Sequence, residues 1–391
     1  MPQLRIPAVY MRGGTSKGVF FRADALPNDP AQRDNILLRV IGSPDPYGKQ
    51  IDGMGGATSS TSKVVLVGPS SHLDCDVDYL FGAVSIEKSV IDWSGNCGNL
   101  TSAVGPFAIS EGLVKAPADG IARVRIWQAN ICKKIIVHVP MKAGEVVEEG
   151  DFILDGVTFP SAEIRIEFLD PGADEDAEST GGMFPTGHVV DQVTIPNVGQ
   201  LELTLINAGN PTIFVDARAL GLTGIEAQDS INNNAELLAR CETIRAHAAV
   251  IMGLAKTPAE VTERRPHTPK LAFVARPQSY TASSGKAVTV NDVDLVARIV
   301  SMGKLHHAMT GTGAVAIAVA AAIPGTVVQR LLGPTVHGQV RFGHPSGVLT
   351  VGAEAALHGE EWVVTKATMS RSARRLMEGF VRVPSCAIEG Q

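Results

Sequence analysis

Ser94-Gly-Asn-Cys-Gly-Asn-Leu-Thr-Ser-Ala-Val104 and Met309-Thr-Gly-Thr-Gly-Ala-Val-Ala-Ile-Ala318 are two glycine-rich starts of small-residue helices, one in each half of the chain. Each follows a strand with a glycine turn: Tyr10-Met-Arg-Gly-Gly-Thr-Ser-Lys-Gly-Val-Phe-Phe21 in the first half and Leu205-Ile-Asn-Ala-Gly-Asn-Pro-Thr-Ile-Phe-Val215 in the second. Two kinds of segment in the same order predict a duplicated architecture. Helices of Gly and Ala fill little volume, so strands can close tightly around them. Short β-rich runs supply those strands: Lys63-Val-Val-Leu-Val67, Ala122-Arg-Val-Arg-Ile-Trp127, Ile135-Ile-Val-His-Val139, Leu201-Glu-Leu-Thr-Leu-Ile206 and Leu271-Ala-Phe-Val-Ala275. Helices are predicted over 99–111, 235–252, 293–301 and 314–323.

The 391 residues suffice for two domains. Hydrophobic residues make up 45 %, charged ones 19 %, and 40 Gly and 23 Pro mark a turn-rich chain, which excludes disordered, collagenous and coiled-coil classes. A net charge of -6 with no block of five like charges argues against general nucleic-acid binding through a basic surface, so an anionic ligand must be held by local groups. The longest aliphatic run, 314–323, is far short of the roughly twenty residues a bilayer-spanning helix needs. The first residues lack the apolar stretch of a signal peptide. A cytoplasmic protein with no membrane partner is expected. Cys75, Cys97, Cys132, Cys241 and Cys386 are scattered, without a C-x-x-C pair or Cys/His cluster, and predict neither a disulfide framework nor a metal site. The Pro/Gly/acid-rich passage 170–186 reads as a linker and places the domain boundary near Gly187.

Gly53-Met-Gly-Gly-Ala-Thr-Ser-Ser-Thr-Ser-Lys63 runs from small and hydroxyl residues into one lysine at the head of an apolar strand. Lys63 there could serve as a proton-abstracting base near neutral pH, with Ser60, Thr61 and Ser62 as donors to an oxyanion; a solvated strand-end lysine is the plain alternative. The P-loop spacing is absent. Cys97, in Gly95-Asn-Cys-Gly98, heads a helix whose free N–H groups favour negative charge, either a thiolate or a substrate carboxylate. The other four cysteines are expected to be buried as small apolar residues. Arg12 and Lys17 flank the Gly13–Ser16 turn, as Asn207 and Asn210 flank Ala208-Gly209; such turns present donors to an anion or serve only as structural hairpins. The pair His306-His307 is weak support for metal. Arg371-Ser-Ala-Arg-Arg375 reads as a solvated basic face.

These residues carry a family resemblance. YMRGGTSKGVFF, IGSPDPYGKQIDGMGGATSSTSK, DWSGNCGNLTSAVGPFAI, MFPTG, INAGNPTIFV, SMGKLHHAM, RFGHPSG and SRSARRLMEGFVRVP together resemble the 2-methylaconitate cis-trans isomerase (PrpF) family, from Tyr10 to Pro384. The resemblance implies an α+β, diaminopimelate-epimerase-like fold of two similar domains, each a β-barrel around a central helix, with the active site in the interdomain cleft. By this reading the N-terminal domain is 1–187, joined by a returning 380–391, and the C-terminal domain is 188–379. The implied catalytic residues are Lys63 and Cys97. Implied substrate contacts are Arg12, Thr15, Ser16, Lys17, Ser60, Thr61, Ser62, Gly95, Asn96, Gly98, Asn210, Ser279, Met309, Thr310 and Gly311. No thiol stands at 309–313, which argues against a two-cysteine racemase and for one lysine base. The implied activity is cofactor-independent interconversion of 2-methyl-trans- and 2-methyl-cis-aconitate in propionate catabolism (the 2-methylcitrate cycle). Its partner is a tricarboxylate substrate, with a homo-oligomer possible and a pathway link to an aconitase-like methylcitrate dehydratase. Alternatives are an allylic isomerase or tautomerase of 4-oxalomesaconate-type acids and a non-catalytic tricarboxylate-binding protein.

Overall fold

The computed structural model describes residues 3–172, 182–332, 338–359 and 361–385, and its contacts divide the chain into two units. The first comprises Met1–Ile153, Phe159–Ile166 and Arg371–Gln391, and the second Leu154–Thr158 and Glu167–Ser370, each taken over its described residues. The position expected for the boundary, Gly187, lies inside the second unit. The returning strand Ala373–Pro384 begins before 380 because it pairs along the whole of Gln3–Gly13, from Gly13↔Ala373 to Gln3↔Pro384. Cys386 lies outside the described residues.

In the first unit, Gln3–Gly13 forms a hairpin with Ser16–Arg22, which is parallel to Lys63–Pro69. Lys63–Pro69 is antiparallel to Val77–Val84, that strand is parallel to Gly120–Gln128, and Lys133–Lys142 closes the row antiparallel. The second unit repeats this alternation in the same order. Gly199–Ala208 hairpins with Asn210–Asp216, and then come Lys270–Ala275 (parallel), Leu295–Ser301 (antiparallel), Gln339–His344 (parallel) and Gly347–His358 (antiparallel). A helix sits at the same place in each row, Gly98–Ser110 and Gly311–Ala322, and strands from both ends of its own row pack on it.

Both helices are enclosed on all sides: residues 98–108 and 311–320 are buried without a polar face. The hairpin turns press directly on them. A Cβ on Gly13 would stand 2.7 Å from Asn99 O and 2.9 Å from Leu100 Cα, and one on Gly209 would meet the side chain of Val315 at 3.0 Å. No element among the described residues is a helix long and apolar enough to cross a membrane.

The segment 293–301 holds a strand, Leu295–Ser301, and not a helix. Leu295–Ser301 is buried at every residue between two neighbouring strands, so it lacks the polar–apolar alternation that marks a strand in sequence. The helix Pro30–Ile41 was not anticipated, although Asp29 caps Gln32 N, Pro30 opens it and Gly42 closes it in the left-handed region (φ 81°). Cys75, Cys97 and Cys241 are buried, whereas Cys132 is only half-buried, at a turn with φ 51°.

Gly13→Ala is expected to force a methyl group into helix backbone, which cannot give way as a side-chain end can. The substitution should cost about 1–3 kcal/mol, read as a lower midpoint in thermal or urea unfolding, whereas alanine at Gly112, which meets nothing within 4 Å, should show only the smaller penalty of its left-handed backbone.

Candidate active site

Lys63 opens its strand with its side chain directed inward. The residue is 6 % exposed, and Nζ lies 5.0 Å from the centre of the Phe81 ring. Among the described residues, no hydrogen bond or ion pair engages the amine. Phe81 and Tyr79 share one face of Val77–Val84, and the Tyr79 hydroxyl donates to Cys97 O at 3.4 Å. One strand face therefore supports both expected catalytic residues. Gly18 allows the close fit beside them: a Cβ there would meet Leu100 Cδ1 at 2.9 Å and Lys63 O at 3.0 Å.

Cys97 is the N-cap of Gly98–Ser110, yet its side chain makes no capping bond. Its carbonyl instead accepts from Thr101 N and Thr101 Oγ1, each at 3.0 Å. Gly95, Asn96 and Gly98 are buried around it. Ser16 Oγ is buried with no hydrogen-bond partner among the described residues. Thr15 accepts from Asn99 Nδ2 at 3.1 Å, which joins the hairpin turn to the helix. Lys17 places its amine 5.5 Å from the Tyr10 ring centre.

The loop before Lys63 is held by side chains that sequence reasoning missed. Asp45 accepts from the N–H groups of Tyr47 (2.9 Å), Lys49 (2.8 Å) and Gln50. Gln50, 1 % exposed, accepts from Ala57 N at 2.8 Å and Ser62 Oγ at 2.7 Å and donates to Ser43 Oγ at 2.9 Å. Ser60 Oγ and Thr61 Oγ1 both bond Thr58 Oγ1, at 2.9 and 2.8 Å. Asn130 likewise fixes the other side: it accepts from Phe81 N at 2.8 Å and donates to Phe81 O and Trp93 O at 2.9 and 2.8 Å. Arg12, expected at an anion, is occupied elsewhere, donating to Gly14 O, Ser372 O, Ser372 Oγ and Ser161 Oγ at 3.0–3.1 Å. Arg371 departs from the solvated-face reading of its segment, being 1 % exposed and donating to Asn99 Oδ1 at 2.9 Å, whereas Arg374 is exposed and Arg375 half-buried.

The second unit has counterparts at matching register. Lys63 stands one residue before Val64, the partner of Val19, and Lys270 is likewise one residue before Leu271, the partner of Ile213. The Lys270 amine is engaged, donating to His267 O and Ser301 Oγ, each at 3.0 Å. Thr310 holds the N-cap position of Cys97, and its hydroxyl accepts from Gly313 N at 3.1 Å. Asn210, Met309, Thr310 and Gly311 are buried in this unit. Asn210 Nδ2 lies 3.4 Å from His267 Nε2. Ser279 is exposed in a loop, accepting from Val290 N at 2.9 Å. Among the described residues no group of three His, Cys, Asp or Glu side chains could hold a metal.

Residues 3–384 match the family described as PrpF protein. The chain belongs to the PrpF family. It is 62 % identical over 391 residues to a 2-methyl-aconitate isomerase of Shewanella oneidensis, covering 98 % of each chain. A solved methylitaconate-delta-isomerase is 42 % identical and aligns with a TM-score of 0.77 over 100 % of this chain and 98 % of that one. A hydroxyproline epimerase of Agrobacterium vitis, 12 % identical, aligns with a TM-score of 0.56 over 99 % of this chain and 95 % of its own, a likeness of fold alone. The epimerase-like α+β fold expected of this PrpF-family chain is the fold it has.

Removal of the Gln50 amide by Gln50→Ala should cost about 1–3 kcal/mol by leaving the Ala57 N–H and Ser62 hydroxyl unmatched, seen as a lower unfolding midpoint. The three N–H bonds, that of Tyr47 first, hold the Asp45 carboxylate below its usual range. Its contribution is therefore full above the unfolded carboxylate pKa of about 4 and is lost as pH falls through the lower folded value. Asp45→Asn should lower the melting temperature at neutral pH, and the two melting curves should converge in acid.

Proposed function

We propose that this chain interconverts 2-methyl-trans-aconitate and 2-methyl-cis-aconitate by allylic proton transfer through Lys63. The names of its relatives support the substrate, and the buried amine of Lys63, without a hydrogen bond or ion pair among the described residues, carries the mechanism. Lys63 in its neutral form takes a proton from the carbon between a carboxylate and the C=C bond. The electron pair left behind delocalises into the double bond, lowers its order and permits rotation. The ammonium then returns the proton. The step is balanced without an oxidant or a cofactor.

The difficulty is extra negative charge on an anion, which preorganised donors must meet where it develops. The N–H groups at the start of Gly98–Ser110 and the buried Ser16 hydroxyl suit that role; the hydroxyls of Ser60, Thr61 and Ser62 are bonded within their own loop and serve to shape it. The difference between the two units favours a single base. Lys270 and Thr310, at the positions of Lys63 and Cys97, spend their polar atoms on the protein itself.

Lys63→Ala should lower kcat for 2-methyl-trans-aconitate by about 10²–10⁴, the usual contribution of a general base. Cys97→Ser should lose less. Both are read by the change in conjugated ultraviolet absorbance, and a Lys63→Ala enzyme turning over at the wild-type rate would refute the mechanism.

A further inference from the structure

The strand Ala373–Pro384 pairs with Gln3–Gly13 along one side. Among the described residues, neither a second strand nor a backbone hydrogen bond engages its other side from Met377 to Pro384. The strand that precedes it in the chain, Glu361–Arg371, pairs with Gly347–His358 instead. The free run is regular: the one register shift of the pair, between Tyr10 and Met11, leaves Leu376 as the extra residue, and Met377–Pro384 follows without a bulge. An open row of N–H and C=O groups of this length is a template for another strand.

Alternation places Glu378, Phe380 and Arg382 on one face of the strand. All three are exposed, Phe380 by 53 % despite its apolar ring, whereas Val381 and Val383 on the other face are buried in the core. Arg382 stands directly opposite Arg5 of the paired strand. Like charges so placed destabilise a sheet, and among the described residues neither guanidinium meets a carboxylate; Arg5 lies over the Phe380 ring, 4.5 Å from its centre. Glu378 is held through one oxygen by Arg375 of its own strand. The exposed face thus lacks an acid at Arg382.

A second copy of the strand would supply it. Two identical antiparallel strands related by a two-fold axis must set one residue opposite its own copy. Centring on Phe380 brings the two rings together and sets Glu378 opposite Arg382 twice, all within the regular run. Centring on Glu378 opposes like charges, and centring on Met377, Gly379 or Val381 matches no acid with a base. We propose that the free edge of Ala373–Pro384 is an interaction surface for a second copy of this chain, antiparallel to the first and centred on Phe380. Nothing in this depends on the chemistry at Lys63.

The test is sedimentation equilibrium of the full-length protein over a concentration series. The wild type should have twice the mass of one chain. Glu378→Arg and Arg382→Glu each oppose like charges twice and should weaken self-association at least roughly tenfold. The double variant, Glu378→Arg with Arg382→Glu, restores both pairs in reversed order and should associate within about threefold of wild type. Register is read separately. Phe380→Cys should form a disulfide-linked dimer under oxidised glutathione, because directly opposed Cβ atoms stand about 5 Å apart. Glu378→Cys should not, since its two copies would lie four residues, or about 13 Å, apart along the strands. A monomeric wild type, an assembly that the single reversals leave unchanged, or a double variant as weak as the single ones would overturn the proposal, as would linking at 378 rather than at 380.

Discussion

The structure depends on the close approach of a hairpin turn to the first turn of an enclosed helix. Gly13 leaves no room for a methyl group over Asn99 O and Leu100 Cα. This fit sets where the helix begins, and so where Cys97 stands. It also sets the register of Ser16–Arg22, whose parallel partner begins at Lys63. One side chain fewer at position 13 thus couples the helix start to the strand that Lys63 opens.

Duplication built the same frame twice, and the polar atoms at equivalent positions diverged. In the first unit the lysine amine lies over the Phe81 ring and makes no hydrogen bond or ion pair among the described residues, and the N-cap side chain does not cap. In the second, Lys270 bonds His267 O and Ser301, and Thr310 caps its own helix. Reactivity needs groups whose hydrogen-bonding capacity is not already used by the fold. That difference is what supports the proposal of the first unit as the chemical half, while the second retains a buried polar cluster around Asn210 and His267.

Much of this was legible in the sequence because it is local. The glycine turns, the small-residue helices and the lysine at the head of a strand follow from residue type and order alone. The segment 293–301 reads as a helix in sequence because burial of Leu295–Ser301 on both faces erases alternation. Gln50 and Asn130 were invisible for a different reason: their partners lie up to 49 positions away, and nothing in an isolated amide says what it will hold. Arg371 reads as solvated because basic clusters usually are, yet 272 positions separate it from the Asn99 that receives it. The returning strand Ala373–Pro384, which starts two residues after it and pairs with Gln3–Gly13, brings it there. Legibility failed wherever a polar side chain owes its role to a distant strand pairing.

The most direct measurement is the single-turnover rate of isomerisation with substrate carrying deuterium at the allylic carbon facing Lys63. Breaking that bond in the slow step predicts a rate several times lower for the deuterated acid than for the protiated one. Equal rates, with chemistry limiting, would mean that the double bond rotates without loss of the allylic hydrogen, and would contradict the account.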